Sequence, residues 1–194
     1  LSYFDKLIKR DRKSAEANEA INKVKDIYAS KGDPDGLEKA MTSYGASIPQ
    51  GELDSLTYNN AYKQQDCKNV VINFEKYISK FPDGIFITQA NFYKAECDYK
   101  LGNADAAFKC YSFVISKPKT EFTEPSLYKA SDIAYKKQDY AKAIEYYKML
   151  ELQAENAKSN DAAIIGLMRS YNNTKSNDDI IVYANKVLKI ENVT

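Results

Sequence analysis

Two amphipathic helices joined by a short turn recur along this chain every 33 to 37 residues, and this repeat leaves few folds open. In the clearest copy, Ser126 to Leu152, apolar and small residues return at i, i+3, i+4 and i+7 on both sides of a polar break at Gln138-Asp139. A single pair of such helices cannot bury its apolar face, whereas stacked pairs bury a continuous core. The repeat therefore predicts an all-α fold, a solenoid of antiparallel helix hairpins.

Two columns of residues mark the successive copies. The first column contains Val70, Ala107, Ala143 and Ile180, and four residues after these come Phe74, Tyr111, Tyr147 and Ala184; a weaker copy has Leu37 and Met41. We expect Ala107 and Ala143 to be fully buried where the two helices of a hairpin cross, because a small residue permits close approach there.

The repeat divides the 194 residues into a leading half-repeat, 1–13, and five hairpins at about 15–48, 51–84, 85–120, 123–157 and 160–194. We predict that they form a single solenoid over residues 1–194. Helical patterns stand close to both ends of the sequence, YFDKLIKR and IIVYANKVLKI. We therefore expect a piece of a longer array, with exposed apolar faces on its terminal repeats and weak self-association through them.

Composition excludes several classes of function. The 28 basic and 27 acidic residues leave a net charge of +1, so no nucleic-acid partner is expected. No apolar run reaches the roughly 18 to 20 residues of a membrane span. Histidine is absent, which removes the commonest general base and metal ligand.

Three cysteines, Cys67, Cys97 and Cys110, cannot form a complete disulfide framework. Cys97 and Cys110 fall on the two helices of one predicted hairpin, where they could pair or remain packed thiols. Asp33 and Asp35 alternate as in a calcium loop, but Lys31 and Thr42 occupy its first and twelfth positions, so an ordinary turn is favoured. We predict no catalytic residues, no metal site and no cofactor.

One polar and aromatic pattern accompanies the core columns. In three successive hairpins the first helix ends in Tyr-Lys, and further aromatic and acidic residues precede two of these pairs on the same helical face. The candidate partner-binding residues are Tyr62, Lys63, Phe92, Glu96, Tyr99, Lys100, Tyr128, Asp132, Tyr135 and Lys136. The tyrosines could instead fill the seam between hairpins, and the charged residues could be ordinary i, i+4 pairs; both interpretations remain open.

The repeat resembles a known family. The stretches QANFYKAECDYKLGNADAAFKCYSFVIS and SLYKASDIAYKKQDYAKAIEYYKMLEL resemble tetratricopeptide repeats (TPR), with the family's Leu-Gly pair replaced by Lys94-Ala95 and Ala130-Ser131. The positions that follow the family pattern in the first stretch are Tyr93, Ala95, Tyr99, Gly102, Ala107 and Tyr111, closed by Pro118. The order ISKFP followed by ANFY looks like periplasmic TPR proteins that accompany the Tol-Pal system, and GASIPQGELDSLTYNNAY is similar to long TPR arrays of Bacteroidetes.

This resemblance implies a right-handed α-α superhelix whose first helices line a concave groove. It also implies a cell-envelope location, in the periplasm or associated with the outer membrane, with the cytoplasm as the alternative. The expected function is a non-catalytic scaffold that binds another protein, as a peptide or a helix, in the groove. A glycan- or peptidoglycan-binding envelope module is the alternative, because tyrosines can stack on sugars, although the absence of tryptophan argues against it.

Overall fold

The computed structural model describes residues 1–190, and every regular element in this range is an α-helix. The helices are α1 (Ser2–Arg10), α2 (Ala15–Lys31), α3 (Pro34–Tyr44), α4 (Gln50–Tyr62), α5 (Cys67–Lys80), α6 (Ile87–Lys100), α7 (Ala104–Ile115), α8 (Thr123–Lys136), α9 (Tyr140–Gln153), α10 (Ala157–Thr174) and α11 (Asn177–Val187). The chain divides into two compact units, residues 1–90 and the residues from Asn91 onward, with the boundary inside α6. The single solenoid over residues 1–194 therefore stays a prediction.

The first unit contains a core between α1, α2 and α3. Its buried residues are Ile8, Ala20, Val24, Leu37, Met41 and Tyr44. The Tyr44 hydroxyl also donates a hydrogen bond to Asp5, which joins α3 to α1. The weak first copy of the repeat, marked by Leu37 and Met41, is thus a packed hairpin.

A buried carboxylate joins the hairpin α4–α5 to the segment that follows it. The Tyr77 hydroxyl donates to Asp54 Oδ1 at 2.5 Å, and the Ile85 N–H donates to Asp54 Oδ2 at 2.8 Å. The Phe86 N–H donates in turn to the Tyr77 hydroxyl at 3.1 Å. A Cβ at Gly84 would lie 2.5 Å from that hydroxyl, so only glycine allows the chain to pass this closely. The pKa of Tyr77 is raised, mainly by burial and next by the hydrogen bond to Asp54.

The second unit has one continuous core to which helices α6 to α11 all contribute. Ala107 and Ala143 are 0% exposed, which confirms the prediction for the small-residue column. Tyr111 and Tyr147, four residues further on, are buried in the same core. The recurring pair of a small residue and a tyrosine therefore forms the interior of these hairpins.

Helices α9 and α10 approach each other closely at Gly166. A Cβ at this position would lie 2.3 to 2.5 Å from three atoms of the Tyr147 ring. The outer end of the ring therefore fills the space that any other residue would need. This contact holds α10, the first helix of the last hairpin, against the preceding hairpin.

The helix ends follow local capping chemistry, and in two places this moves them from their predicted positions. Ser14 caps α2 by accepting from the Ala17 N–H at 3.1 Å. Helix α3 begins inside the segment predicted as a turn, because Asp33 accepts from the Gly36 N–H at 2.8 Å and so caps a helix there. Helix α10 begins at Ala157, before the predicted start of the last hairpin at about residue 160, since Asn156 provides its cap.

The last hairpin departs from the predicted register. Tyr183 is the buried residue of α11, stacked on Tyr171 at 5.5 Å between ring centroids, whereas its neighbour Ala184 is only partly buried. A large ring fills the end of this core better than a methyl group does. The predicted end of the hairpin, residues 191–194, lies outside the described residues.

Candidate partner-binding surface

The Tyr-Lys pair predicted in the first unit lies at the end of α4. Tyr62 is 54% exposed, and its ring stacks on Tyr58 at 5.9 Å between centroids. Tyr58 stacks in turn on Phe86 at 4.4 Å. Lys63 is the exposed C-cap residue of α4. Tyr62 therefore extends a buried aromatic stack toward the surface of this unit.

The candidates on α6 belong partly to the interior of the second unit. Phe92 is half-buried and packs against Phe122 at 4.9 Å between ring centroids. Glu96 accepts a hydrogen bond from the Tyr111 hydroxyl at 2.5 Å. The pKa of Tyr111 is raised, mainly by burial and next by this hydrogen bond. Phe92 therefore packs α6 against the start of α8, and Glu96 joins α6 to α7.

The candidates on α8 are more accessible. Tyr128 is 39% exposed, and Lys136 forms an i, i+4 ion pair with Asp132 at 2.7 Å. This hydrogen bond is the main cause of the raised pKa of Lys136. Tyr135 is half-buried, with its ring edge-on to Tyr140 at 5.6 Å between centroids. Asp132 and Lys136 thus form the ordinary i, i+4 pair and Tyr135 packs within its hairpin, while partner binding by the exposed Tyr128 stays a prediction.

Two contacts between neighbouring first helices involve the candidate residues Tyr99 and Tyr135. The Lys129 ammonium of α8 lies 4.5 Å from the centroid of the Tyr99 ring of α6. The Asn173 amide of α10 donates to the Tyr135 hydroxyl of α8 at 3.3 Å. We call this group of residues on α6, α8 and α10 the tyrosine-lysine stripe; its residues are Tyr99, Lys100, Tyr128, Lys129, Asp132, Tyr135, Lys136 and Asn173.

An open groove of about 460 Å³ lies beside Tyr128, between the starts of α8 and α10. Lys129 and Lys158 line it from opposite sides. Glu124 crosses its base: this carboxylate accepts from the Glu155 N–H at 2.8 Å and from the Asn156 amide at 2.7 Å. Hydrogen bonds lower the pKa of Glu124, the largest contribution coming from the Ser159 side chain. The groove therefore has an ordered polar base and an aromatic wall.

Tyr147 lies beneath the stripe and responds to its charges. The pKa of Tyr147 is raised to about 12, mainly by burial and next by the nearby Asp132 carboxylate. A hydrogen bond with Ser131 and the positive charge of Arg169 act in the opposite direction. The packing residue that fixes α10 at Gly166 thus also lies close to charged groups of the stripe.

A second tyrosine pattern was missed by the sequence analysis. Tyr77, Tyr111, Tyr147 and Tyr183 each lie on the second helix of a hairpin, and each hydroxyl has a polar side-chain partner. The partners are Asp54, Glu96, Ser131 and Glu151, in that order. The tyrosines are visible in the sequence, but their partners come from other helices and follow no common spacing.

The structure also constrains the chemistry of the chain. Within residues 1–190 no group of three or more potential ligands could hold a metal ion. Cys110 is a buried thiol of the second core, so the disulfide with Cys97 considered above is not formed. None of the described helices combines the length and the apolar character needed to cross a membrane.

The fold is that of TPR-like repeats. A crystal structure of a variant of a putative kinesin light chain from Podosopora anserina, with nearly identical TPR-like repeats, superposes with a TM-score of 0.51. The alignment covers 87% of this chain and 92% of the other, at 9% sequence identity. No family model and no curated protein matches the chain. Together with its consecutively packed helices, this likeness gives the protein an all-α fold of the α-α superhelix class.

Proposed function

We propose that this protein is a non-catalytic scaffold that binds another protein, as a peptide or a helix, along the tyrosine-lysine stripe. The observation that carries the proposal is the continuity of the stripe across α6, α8 and α10, through the Lys129–Tyr99 and Asn173–Tyr135 contacts. Side chains that are already held in place lose little conformational entropy when a partner binds. Repeat proteins commonly use such extended surfaces for binding.

The chemistry of the stripe favours a peptide with an apolar side chain beside acidic groups. Tyr128 offers an exposed, rigid ring at the mouth of the groove, a typical anchor for a partner side chain. Lys129 and Lys158 line the groove beside Tyr128 and form no ion pair within residues 1–190, whereas the carboxylate of Glu124 already accepts two hydrogen bonds. Accessible positive charge therefore exceeds accessible negative charge next to the aromatic anchor.

The test begins with peptides selected against the intact protein from a random displayed library. Their affinities are then measured by fluorescence anisotropy for the wild type and for Tyr128→Ala and Lys136→Glu. We expect each substitution to weaken binding by about fivefold or more, since loss of an anchor costs about 1 kcal/mol or more. Leu152→Ala, a change at an exposed leucine of α9 outside the stripe, is the matched control and should bind as the wild type does.

Equal affinities for all of these proteins would refute the proposed surface. A parallel glycan array, which includes peptidoglycan fragments, distinguishes the alternative function. Binding to sugars that depends on Tyr128, without peptide binding, would replace the protein-scaffold proposal by a glycan-binding module. Tyr99 and Tyr135 are unsuitable for this test because both also pack against the core, so their loss would change stability as well.

We also propose that the protein works in a bacterial cell envelope, in the periplasm or next to the outer membrane. The support for this location is the resemblance of ISKFP and ANFY to envelope-associated TPR proteins. Immunodetection in fractionated cells tests it. Recovery of the protein only in the cytoplasmic fraction would overturn this part of the proposal.

A further inference from the structure

The two outermost described helices each present an unusual exposed face. Helix α11 exposes Ile181, Val182 and Leu188, the last two of which bracket Asn185 along one side of the helix. Ile181 and Leu188 are 62% and 83% exposed, values that are high for large apolar residues on a helix of a folded protein. Apolar groups clustered on one face mark an interaction site more often than single exposed ones do.

The charges on this face of α11 are confined to one end. Asp178 lies one turn before Ile181 on the same side, with Asp179 beside it, and both carboxylates are exposed. Neither forms an ion pair within the described residues. At the opposite end, Lys189 leans toward α10, where it lines a shallow pocket with Asp161. The face is therefore acidic at the helix N-terminus and carries no charge over the rest of its length, where Ile181, Val182 and Leu188 surround the polar Asn185.

Helix α1 carries the opposite pattern. Its buried side, which includes Ile8, packs into the core of the first unit, whereas Tyr3 is exposed near the helix start. Lys6, Lys9 and Arg10 lie on the exposed side toward the helix end, and none of them forms an ion pair within residues 1–190. This face is therefore aromatic at its N-terminal end and basic at its C-terminal end.

We propose that α11 of one molecule docks antiparallel on α1 of a second copy of this chain. In this arrangement the acidic start of α11 meets the basic end of α1, and Leu188 meets Tyr3. Asp178 to Leu188 spans about 15 Å and Tyr3 to Arg10 about 10 Å at 1.5 Å per residue, so Leu188 lies about one turn beyond the Cα of Tyr3, a gap that the long tyrosine side chain can span. The helix dipoles add to the attraction, because the positive start of α11 lies next to the negative end of α1.

The two faces differ from each other, so the contact is heterologous and can add further copies. A single pair of helices buries less than the roughly 800 Å² per partner of a stable interface, so the association should be weak, with a dissociation constant on the order of 100 µM. It should weaken further as salt screens the charges. This association uses surfaces other than the tyrosine-lysine stripe.

The test is sedimentation velocity of the whole chain over a concentration series, with charge-reversed variants. Asp178→Lys/Asp179→Lys and Lys6→Glu/Lys9→Glu should each associate about tenfold more weakly than the wild type, because like charges then face each other. An equimolar mixture of the two should associate again, since each basic face finds an acidic one. Leu188→Ser should also weaken association, whereas Leu152→Ser, at an equally exposed leucine of α9, should not.

Each result bears on a specific part of the inference. A wild type that stays monomeric across the series overturns it. If the Lys6→Glu/Lys9→Glu variant associates as strongly as the wild type, α1 is not the docking face and self-association of α11 faces replaces the proposal. If the mixture stays monomeric although both variants retain wild-type circular dichroism, the antiparallel charge pairing is wrong.

Discussion

Replacing Gly166 by alanine tests the packing that holds the last hairpin in place. In an open helix interior this change stabilises a protein by about 0.8 to 1 kcal/mol, because glycine is the poorer helix former. Here the new Cβ would lie 2.3 to 2.5 Å from the Tyr147 ring, at least about 1 Å inside normal contact. Such overpacking costs about 1 to 3 kcal/mol, so the expected net result is a destabilisation of about 1 to 2 kcal/mol.

Urea unfolding followed by circular dichroism measures the difference, with Gly51→Ala as the matched control. Gly51 is also helical, but the nearest foreign atom to its Cβ would be Ile85 Cδ1 at 3.9 Å. That substitution should therefore be neutral or stabilising, by up to about 1 kcal/mol. In a Tyr147→Leu background, Gly166→Ala should lose most of its cost. Stabilisation by Gly166→Ala in the wild type would refute the close approach of α9 and α10.

Three further predictions follow from buried contacts. Ala143→Leu should lower the free energy of unfolding by about 1 to 3 kcal/mol through overpacking, and an unchanged urea midpoint would contradict the repeat register. Asp54→Ala should lower the free energy of unfolding by about 2 to 4 kcal/mol, because the Tyr77 hydroxyl and the Ile85 N–H both lose their acceptor. Asp54→Asn, which keeps an acceptor oxygen, should lower it less in the same assay. Because the pKa of Tyr147 is raised in the folded state, its protonated phenol contributes to stability fully below pH 10, and this contribution is lost as pH rises through about 12. In urea titrations at alkaline pH, Tyr147→Phe should therefore lose less stability with rising pH than the wild type. Identical pH profiles for the two proteins would argue against this contribution.

The sequence predicts the core of the repeat well, because small residues at helix crossings leave a periodic trace. Ala107 and Ala143 stand 36 residues apart, and both are buried as expected. The register of α11 was less predictable, since both Tyr183 and Ala184 fit an apolar column. The choice of Tyr183 depends on the space beside Tyr171 in the folded unit, which no local pattern encodes.

The candidate surface was predictable as a set of residues but not in its division between interior and surface. Glu96 and Lys100 have the spacing of a helical ion pair, yet Glu96 instead accepts from Tyr111 of the neighbouring helix. At Asp132 and Lys136 the same spacing does produce the pair. The difference arises because the buried phenol of Tyr111 on α7 lies within hydrogen-bond distance of the first carboxylate, which is a tertiary effect.

The carboxylate of Glu124 has a consequence for how the second unit opens. Glu124 belongs to α8, but its two carboxylate oxygens accept hydrogen bonds from the Glu155 N–H and the Asn156 side chain, immediately before α10. The first turn of a helix normally frays on its own, whereas here fraying must break bonds to a helix two elements earlier. In native-state hydrogen exchange, the amide of Glu155 should therefore be released together with those of α8, so that the first turn of α10 and α8 form one cooperative opening unit.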